Sequence, residues 1–155
     1  MCGMHSVAGI INNPVLIVTL ICYGLAQLLK VPVHFLLEKE WDWHQIRAAG
    51  GMPSSHTALV VSVTLMIGVT QGFDTALFAL SAAIACIVMY DATGVRYETG
   101  KQAVIINQIL HNVLVNGKPI SDAELKEVVG HKPIEVFVGG LLALVVVLVY
   151  VIFAQ

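Results

Sequence analysis

Four stretches of the chain are apolar and contain no Asp, Glu, Lys or Arg; they lie at about residues 10–29, 57–71, 75–90 and 136–154. At a helical rise of about 1.5 Å per residue they extend for about 21–30 Å, which is short to adequate for a hydrocarbon core about 30 Å thick. The pattern predicts an all-α, polytopic membrane protein with about four transmembrane helices. The alternative is a pair of longer helical hairpins that cross the bilayer only partly.

The composition is not that of an ordinary soluble domain. Hydrophobic residues make up 57% of the 155 residues and charged residues only 12%, whereas about a quarter of a typical soluble domain is charged. The length suits one domain, and the sequence has no internal repeat or low-complexity tract. We therefore predict a single integral membrane domain over residues 1–155.

The basic residues indicate how these helices are oriented. With four crossings, the connection between the first and second runs and that between the third and fourth lie on the same side of the membrane. All eight Lys and Arg residues lie in these connections or at their edges: Lys30, Lys39, Arg47, Arg96, Lys101, Lys118, Lys126 and Lys132. Because short loops rich in Lys and Arg stay in the cytoplasm, the sequence predicts cytoplasmic loops and two extracytoplasmic termini.

The second of these connections contains an amphipathic segment, KQAVIINQILHNVLV, residues 101–115. Its apolar side chains fall on one helical face: Ile105, Ile106, Ile109, Leu110, Val113 and Leu114. Such a helix lies on the membrane surface or packs beneath the transmembrane helices.

Small residues predict where helices approach closely. On the third run they form one face: Ala79, Ala82, Ala83 and Cys86. On the fourth run Gly139 and Gly140 lie near the start. Both positions are expected to contact neighbouring helices.

The second and fourth helices both begin on the cytoplasmic side in this topology. PSSH, residues 53–56, starts the second, where Ser54 or Ser55 suits the N-cap. GHKPIE, residues 130–135, starts the fourth, where Pro133 suits the first helical position. Two helix starts close together present free N–H groups and positive dipole ends, which favour an anion such as phosphate.

Each of these helix starts also carries a histidine. His56 belongs to PSSH, and His131 precedes Glu135 by four residues, so that the carboxylate can reach back to the imidazole. A carboxylate there fixes the tautomer and raises the basicity of the other ring nitrogen, as a nucleophile or general base requires. PSSH alone could be only a helix cap, and Glu135 alone could only complement its helix dipole. The combination favours a catalytic site.

Charged residues also cluster where the third run ends, in YDATGVRYETGKQA, residues 90–103. They could be a topological anchor with its counter-ions. Alternatively Arg96, with Lys101 or Arg47, binds phosphoryl oxygens, for which the planar Arg fork is suited. Asp91 then orients Arg96 or, with Glu98, holds a divalent cation such as Mg²⁺.

Three segments together resemble the divergent branch of the type 2 phosphatidic acid phosphatase superfamily, which is related to acid phosphatases and vanadium-dependent haloperoxidases. They are GGMPSSHTALV, MYDATGVRYETGKQAVIINQ and GHKPIEVFVGG, and with their apolar runs they cover about residues 40–145. Pro53, Ser54 and His56 match the family's Pro-Ser-Gly-His segment, with Ser55 in place of the glycine.

The resemblance implies cleavage of a phosphoester through a phosphohistidine, with no cofactor required. It makes His131 the nucleophile, with Glu135 where the family has Asp, and His56 the acid that protonates the leaving group. Two departures are plain. Arg47 is followed by Ala48 rather than by proline, and Glu124-Leu125 replaces the Ser-Arg pair expected seven residues before His131.

We therefore predict a lipid-phosphate phosphatase that hydrolyses a phospholipid phosphomonoester, similar to phosphatidate or phosphatidylglycerophosphate, at the cytoplasmic face. The alternative is a non-catalytic protein that binds or transports a lipid phosphate at the same anion site. The expected partner is a membrane phospholipid and not a nucleic acid. A homo-oligomer is also expected, because four short spans enclose little space.

Overall fold

The structure is a computed structural model and describes residues 8–48, 50–113 and 130–154. Within these ranges the chain forms helices and no strand, with the following elements: α1 (Ala8–Ile11), α2 (Pro14–Glu38), a 3₁₀ turn (Trp43–Arg47), α3 (Ser55–Gln71), α4 (Ala76–Thr93), α5 (Val95–Val113) and α6 (Pro133–Phe153). The all-α class predicted from the apolar runs is confirmed.

Among the residues that the structure describes, three helical stretches are long and apolar enough to cross a membrane: α2, residues 76–109 of α4 and α5, and α6. The fourth apolar helix, α3, has 17 residues and is about 25 Å long at the usual helical rise. The chain is therefore a polytopic membrane protein, as predicted, with three long helices and one shorter one.

The first membrane helix is longer than its uncharged run indicated. It begins at Pro14, capped by the Asn13 side chain, which accepts a hydrogen bond from the backbone N–H of Leu16 at 3.2 Å. It then continues to Glu38, beyond the end predicted at about residue 29. Lys30, the first charged residue, lies within this helix, and its side chain is buried in the bundle.

The short helix α3 lies at the centre of the bundle and packs against α2, α4 and α6. Two layers of buried side chains join it to α2 and α6. One layer contains Cys22, Ala26, Ala58 and Ala143, and the other contains Val18, Met66 and Val147. Because the residues that α2 and α6 contribute to these layers are four apart, each helix presents one continuous face to the core.

Gly139 allows α6 to approach the start of α3. A Cβ at Gly139 would lie 2.5 Å from the carbonyl oxygen of Ser54 and 3.2 Å from the Cβ of Thr57. The backbone N–H of Ser54 donates to the carbonyl of Glu135 at 3.0 Å. The N-terminal ends of α3 and α6 therefore meet, as the small residues of the fourth run indicated.

The small-residue face predicted on the third run is not the packed one. Ala79, Ala83 and Cys86 are exposed, and Ala82 is only half-buried. The residues of α4 that are buried are instead Ser81, Ala85 and Ala92. Packing against α3 selects a different face of α4 from the one that small side chains alone suggested.

After α4 the chain turns directly into α5 at Gly94, so the polar insert predicted from residue 91 begins as helix. The apolar face predicted on the amphipathic segment is present in part, because Ile105, Ile106 and Ile109 are exposed. The side chains of Leu110 and Val113, and residues 114–129, lie outside the described part.

The connection between α2 and α3 contains the 3₁₀ turn, and Asp42 caps the N-terminus of this turn. Its carboxylate accepts hydrogen bonds from the backbone N–H of His44 and the side-chain amide of Gln45, each at 2.9 Å. These bonds favour the ionised form and hold the pKa of the Asp42 carboxyl below its ordinary value.

Candidate active site

His131 is fixed where the end of α4 meets the start of α6. Its backbone N–H donates to the carbonyl of Ala92 at 3.1 Å. The preceding residue, Gly130, packs so closely on α5 that a Cβ there would collide with the backbone of Tyr97. The imidazole is consequently buried, with only 2% of the residue exposed.

Glu135 orients the ring of His131. The Nδ1 atom lies 2.8 Å from Oε2 of Glu135, the contact that the spacing of four residues predicted. When Nδ1 carries the proton and donates it to the carboxylate, the lone pair of the neutral ring is on Nε2. Nε2 is buried and has no hydrogen-bond partner among the described residues.

His56 faces His131 from the first turn of α3. The two ring centroids are 5.9 Å apart, and the ring planes meet at 61°. His56 is exposed whereas His131 is buried. The two imidazoles thus meet at an edge, one fixed by a carboxylate and the other accessible from outside.

The two serines of PSSH have different environments. Ser54 is the N-cap of α3, and its hydroxyl accepts hydrogen bonds from the backbone N–H and the hydroxyl of Thr57, at 3.3 and 3.0 Å. Ser55 is the first residue of the helix, and its hydroxyl is buried without a partner in the described part. Of the two candidates for the cap, the structure selects Ser54.

A pocket of about 180 Å³ lies beside the histidine pair. Four polar or charged residues line it, His56, His131, Asp91 and Arg96, together with three apolar residues, Ile87, Val88 and Ala92. Within it Nε of Arg96 donates to Oδ2 of Asp91 at 2.7 Å. The structure therefore brings together both histidines, Arg96 and Asp91.

Two predicted cations lie outside this lining. The Lys101 ammonium donates to Glu98 at 2.7 Å and lies 4.5 Å from the centre of the Tyr97 ring. Arg47 is exposed in the 3₁₀ turn. Neither side chain lines the pocket, so Arg96 is the predicted clamp residue that the fold places beside the histidines.

The carboxylates considered for a divalent cation are engaged separately. Asp91 pairs with Arg96, and Glu98 pairs with Lys101. In the ranges that the structure describes, no group of three or more His, Cys, Asp or Glu residues is arranged to hold a metal ion.

One functional candidate was missed in the sequence. Lys30 is only 1% exposed, and its ammonium donates to the carbonyl of Ala48 at 2.7 Å. From the sequence, Lys30 was interpreted only as one of the basic residues at the membrane edge. Its spacing was a usable signal, because it follows Ala26, Cys22 and Val18 at intervals of four residues on the buried face of α2.

Comparison with known proteins identifies a family. A family model described as "Divergent PAP2 family" matches residues 11–146. The uncharacterized membrane protein YuiD of Bacillus subtilis (strain 168) is 39% identical over 154 residues, which cover 93% of this chain and 98% of that protein. No solved structure matches. The family match includes all three motif segments and confirms the resemblance inferred from them.

Proposed function

The chain belongs to the Divergent PAP2 family, and from this premise we propose that it is a lipid-phosphate phosphatase that uses a phosphohistidine. The family relationship supports a membrane protein related to phosphatases; the reaction and its residues are our inference. One observation carries it: Nδ1 of His131 contacts Glu135 at 2.8 Å, while Nε2 has no hydrogen-bond partner among the described residues and the ring lies next to that of a second histidine.

In the first step, Nε2 of His131 attacks the phosphorus atom. A P–N bond forms while the P–O bond to the lipid alcohol breaks. His56 in its protonated form donates its proton to the departing alkoxide, and Glu135 stabilises the positive charge that develops on the His131 ring. Arg96 and the helix-start N–H groups stabilise the equatorial phosphoryl oxygens, where charge spreads during the transfer.

In the second step, water attacks the phosphohistidine. His56, now neutral, accepts a proton from this water as the P–N bond breaks. Inorganic phosphate leaves, and both histidines return to their starting protonation states. The exposed position of His56 suits this exchange of protons with water.

A lipid substrate fits the mixed polar and apolar lining of the pocket. The phosphoryl group would lie beside the polar residues, and the first carbons of the alcohol would contact Ile87 and Val88. Ile87 is 68% exposed on a helix of the membrane-spanning part, so its side chain is accessible to acyl chains. A soluble phosphate monoester would leave these contacts unused.

The replacement of the family's Ser-Arg pair by Glu124-Leu125 supports a second candidate, a protein that binds lipid phosphates without cleaving them. Purified protein in detergent or vesicles should be given phosphatidate- and phosphatidylglycerophosphate-type lipids, with and without EDTA. The phosphatase proposal predicts release of inorganic phosphate and an acid-labile phosphoenzyme. Saturable binding with no release would favour the binding protein.

We propose that the site faces the cytoplasm, because all eight basic residues are at or near that side. In a variant without its native cysteines, a cysteine at Asn116 should react only with a reagent applied from the cytoplasm. A cysteine at Gln155 should react only from outside. The reverse pattern would place the reaction on the other membrane surface.

A further inference from the structure

Two buried faces meet in the core, one on α2 and one on α6. The face on α2 contains Val18, Cys22, Ala26 and Lys30, and the face on α6 contains Gly139, Ala143 and Val147, with the half-buried Glu135 one turn before them. In each face the residues are four apart, so they line up along the helix. Each face ends, on the side of the histidine pair, in a single charged residue.

The contacts show that these faces run antiparallel and in register. Val18 shares one buried layer with Val147, and Cys22 and Ala26 share the next layer with Ala143. Continuing the same register leads past Gly139 to the level of Lys30 and Glu135. The two charged residues therefore end the matched faces at the same end of the bundle.

Both charges are largely withdrawn from water. Lys30 is 1% exposed and uses one N–H on the carbonyl of Ala48. The Glu135 side chain is 14% exposed, and its Oε2 contacts His131. A buried charge is costly unless an opposite charge is near it. Lys30 and Glu135 have opposite charges and lie at the same level of the bundle.

We propose that Lys30 is a positioning residue that acts on His131 through Glu135. Its ammonium keeps the Glu135 carboxylate ionised in the bundle, so that the carboxylate accepts the Nδ1 proton and leaves the lone pair of His131 on Nε2. This inference rests on the proposed role of His131. It adds a residue from the first membrane helix, which the motif segments do not include.

The other charged groups near the pair have different surroundings. His56 faces His131 from α3, and Arg96 with Asp91 faces it from α4 and α5. Lys132 adjoins His131 in the chain but is exposed. Removing the positive charge of Lys30 should therefore make proton uptake by the His131–Glu135 pair easier, whereas removing that of Lys132 should matter less because water screens it.

The first experiment tests the pairing by thermal unfolding of the full chain in detergent. Lys30→Met and Glu135→Gln should each lower Tm, because each leaves one buried charge without its partner. The double variant should recover part of the loss and unfold above Lys30→Met. Lys132→Met combined with Glu135→Gln is the control and should be additive. Additive losses for the Lys30 pair would overturn the proposal.

The second experiment tests the action on His131 and needs no substrate. Signals of ¹⁵N-labelled histidine, assigned with His131→Gln, should report the pH at which the pair takes up its proton. This pH should rise by about one unit in Lys30→Met, stay close to that of wild type in Lys30→Arg, and change little in Lys132→Met.

Each remaining outcome has a distinct meaning. An unshifted titration in Lys30→Met would overturn the proposal and leave Lys30 as a tether for Ala48. An unshifted titration with loss of inorganic phosphate binding would make Lys30 a substrate ligand instead. If wild type releases no phosphate from lipids while the titration shifts as expected, the proposed reaction fails but the positioning role of Lys30 stands.

Discussion

The site contains two contacts between a carboxylate and a side-chain nitrogen, of nearly equal length but in very different surroundings. Glu135 lies 2.8 Å from His131, with side-chain exposures of 14% and 2%, whereas Asp91 lies 2.7 Å from Arg96, with exposures of 40% and 53%. Distance alone does not separate them. Burial does, because water weakens the interaction of exposed charges and leaves that of buried ones strong.

The difference assigns the two contacts different tasks. An exposed ion pair contributes about 0–1 kcal/mol and can exchange partners readily, so Arg96 can move from Asp91 to a phosphoryl group at little cost. A buried contact cannot exchange with water, so Glu135 holds one tautomer of His131. The buried contact thus holds His131 in place as the nucleophile. The exposed contact leaves Arg96 able to move from Asp91 to the phosphoryl group.

The largest effect is expected at His131 itself. His131→Ala should be inactive toward both a phospholipid phosphate and an activated aryl phosphate, and no acid-labile phosphate should be trapped on it. His56→Ala should retain part of its activity toward the aryl ester, because that leaving group needs no proton and general-acid catalysis contributes about 10²–10⁴-fold. Turnover of lipid by His131→Ala at the wild-type rate would refute the nucleophile assignment.

The buried and exposed carboxylates can be compared directly by the same substitution. Glu135→Gln keeps a side chain that orients the imidazole but loses its charge, so turnover should fall by about a thousandfold, between the values for His131→Ala and wild type. Asp91→Asn should cost less than about tenfold, since an exposed pair is weak. Steady-state phosphate release measures both, and equal losses would remove the distinction drawn from burial.

The next prediction concerns the guanidinium group of Arg96. Arg96→Ala should reduce turnover by about a hundredfold, the usual effect of removing one donor to the developing charge. Arg96→Lys should be almost as poor, because a point charge cannot replace bidentate contact. Folding, followed by Tm, should be unchanged in both variants. Near-normal turnover in Arg96→Lys would make the residue a topological anchor.

Gly139 and Gly140 test whether close packing supports the buried contact. Gly139→Ala places a Cβ 2.5 Å from the Ser54 carbonyl, and such overpacking should destabilise the protein by about 1–3 kcal/mol. Gly140→Ala is the matched control, because its nearest neighbour would be Thr57 Cγ2 at 3.9 Å. Thermal unfolding should separate them, and equal Tm values would show that α6 can shift freely.

The smallest effect is expected at Lys101. Its ammonium is exposed and engaged with Glu98 and Tyr97, outside the pocket lining. Lys101→Ala should therefore change lipid turnover by no more than about twofold, since an exposed pair couples weakly to its surroundings. A loss of turnover as large as that of Arg96→Ala would show that Lys101 also contacts the phosphoryl group.

The sequence by itself determined the features that depend on neighbours along the chain. Uncharged apolar runs predicted the membrane helices, and PSSH predicted the start of α3, because helix formation and capping are local. The spacing of His131 and Glu135 predicted their contact, since residues four apart lie on one side of a helical turn. The motif order was also sufficient to identify the family.

Tertiary structure decided what depends on distances between helices. Only packing shows that Gly139 brings Glu135 to Ser54 and that Lys30 ends a buried face. Packing also decides that Arg96 lines the pocket whereas Lys101 does not. Packing between helices also explains why Ala79 and Ala83 of α4 are exposed. Burial is set by which faces of separate helices meet, and a single helix sequence contains several faces that could serve.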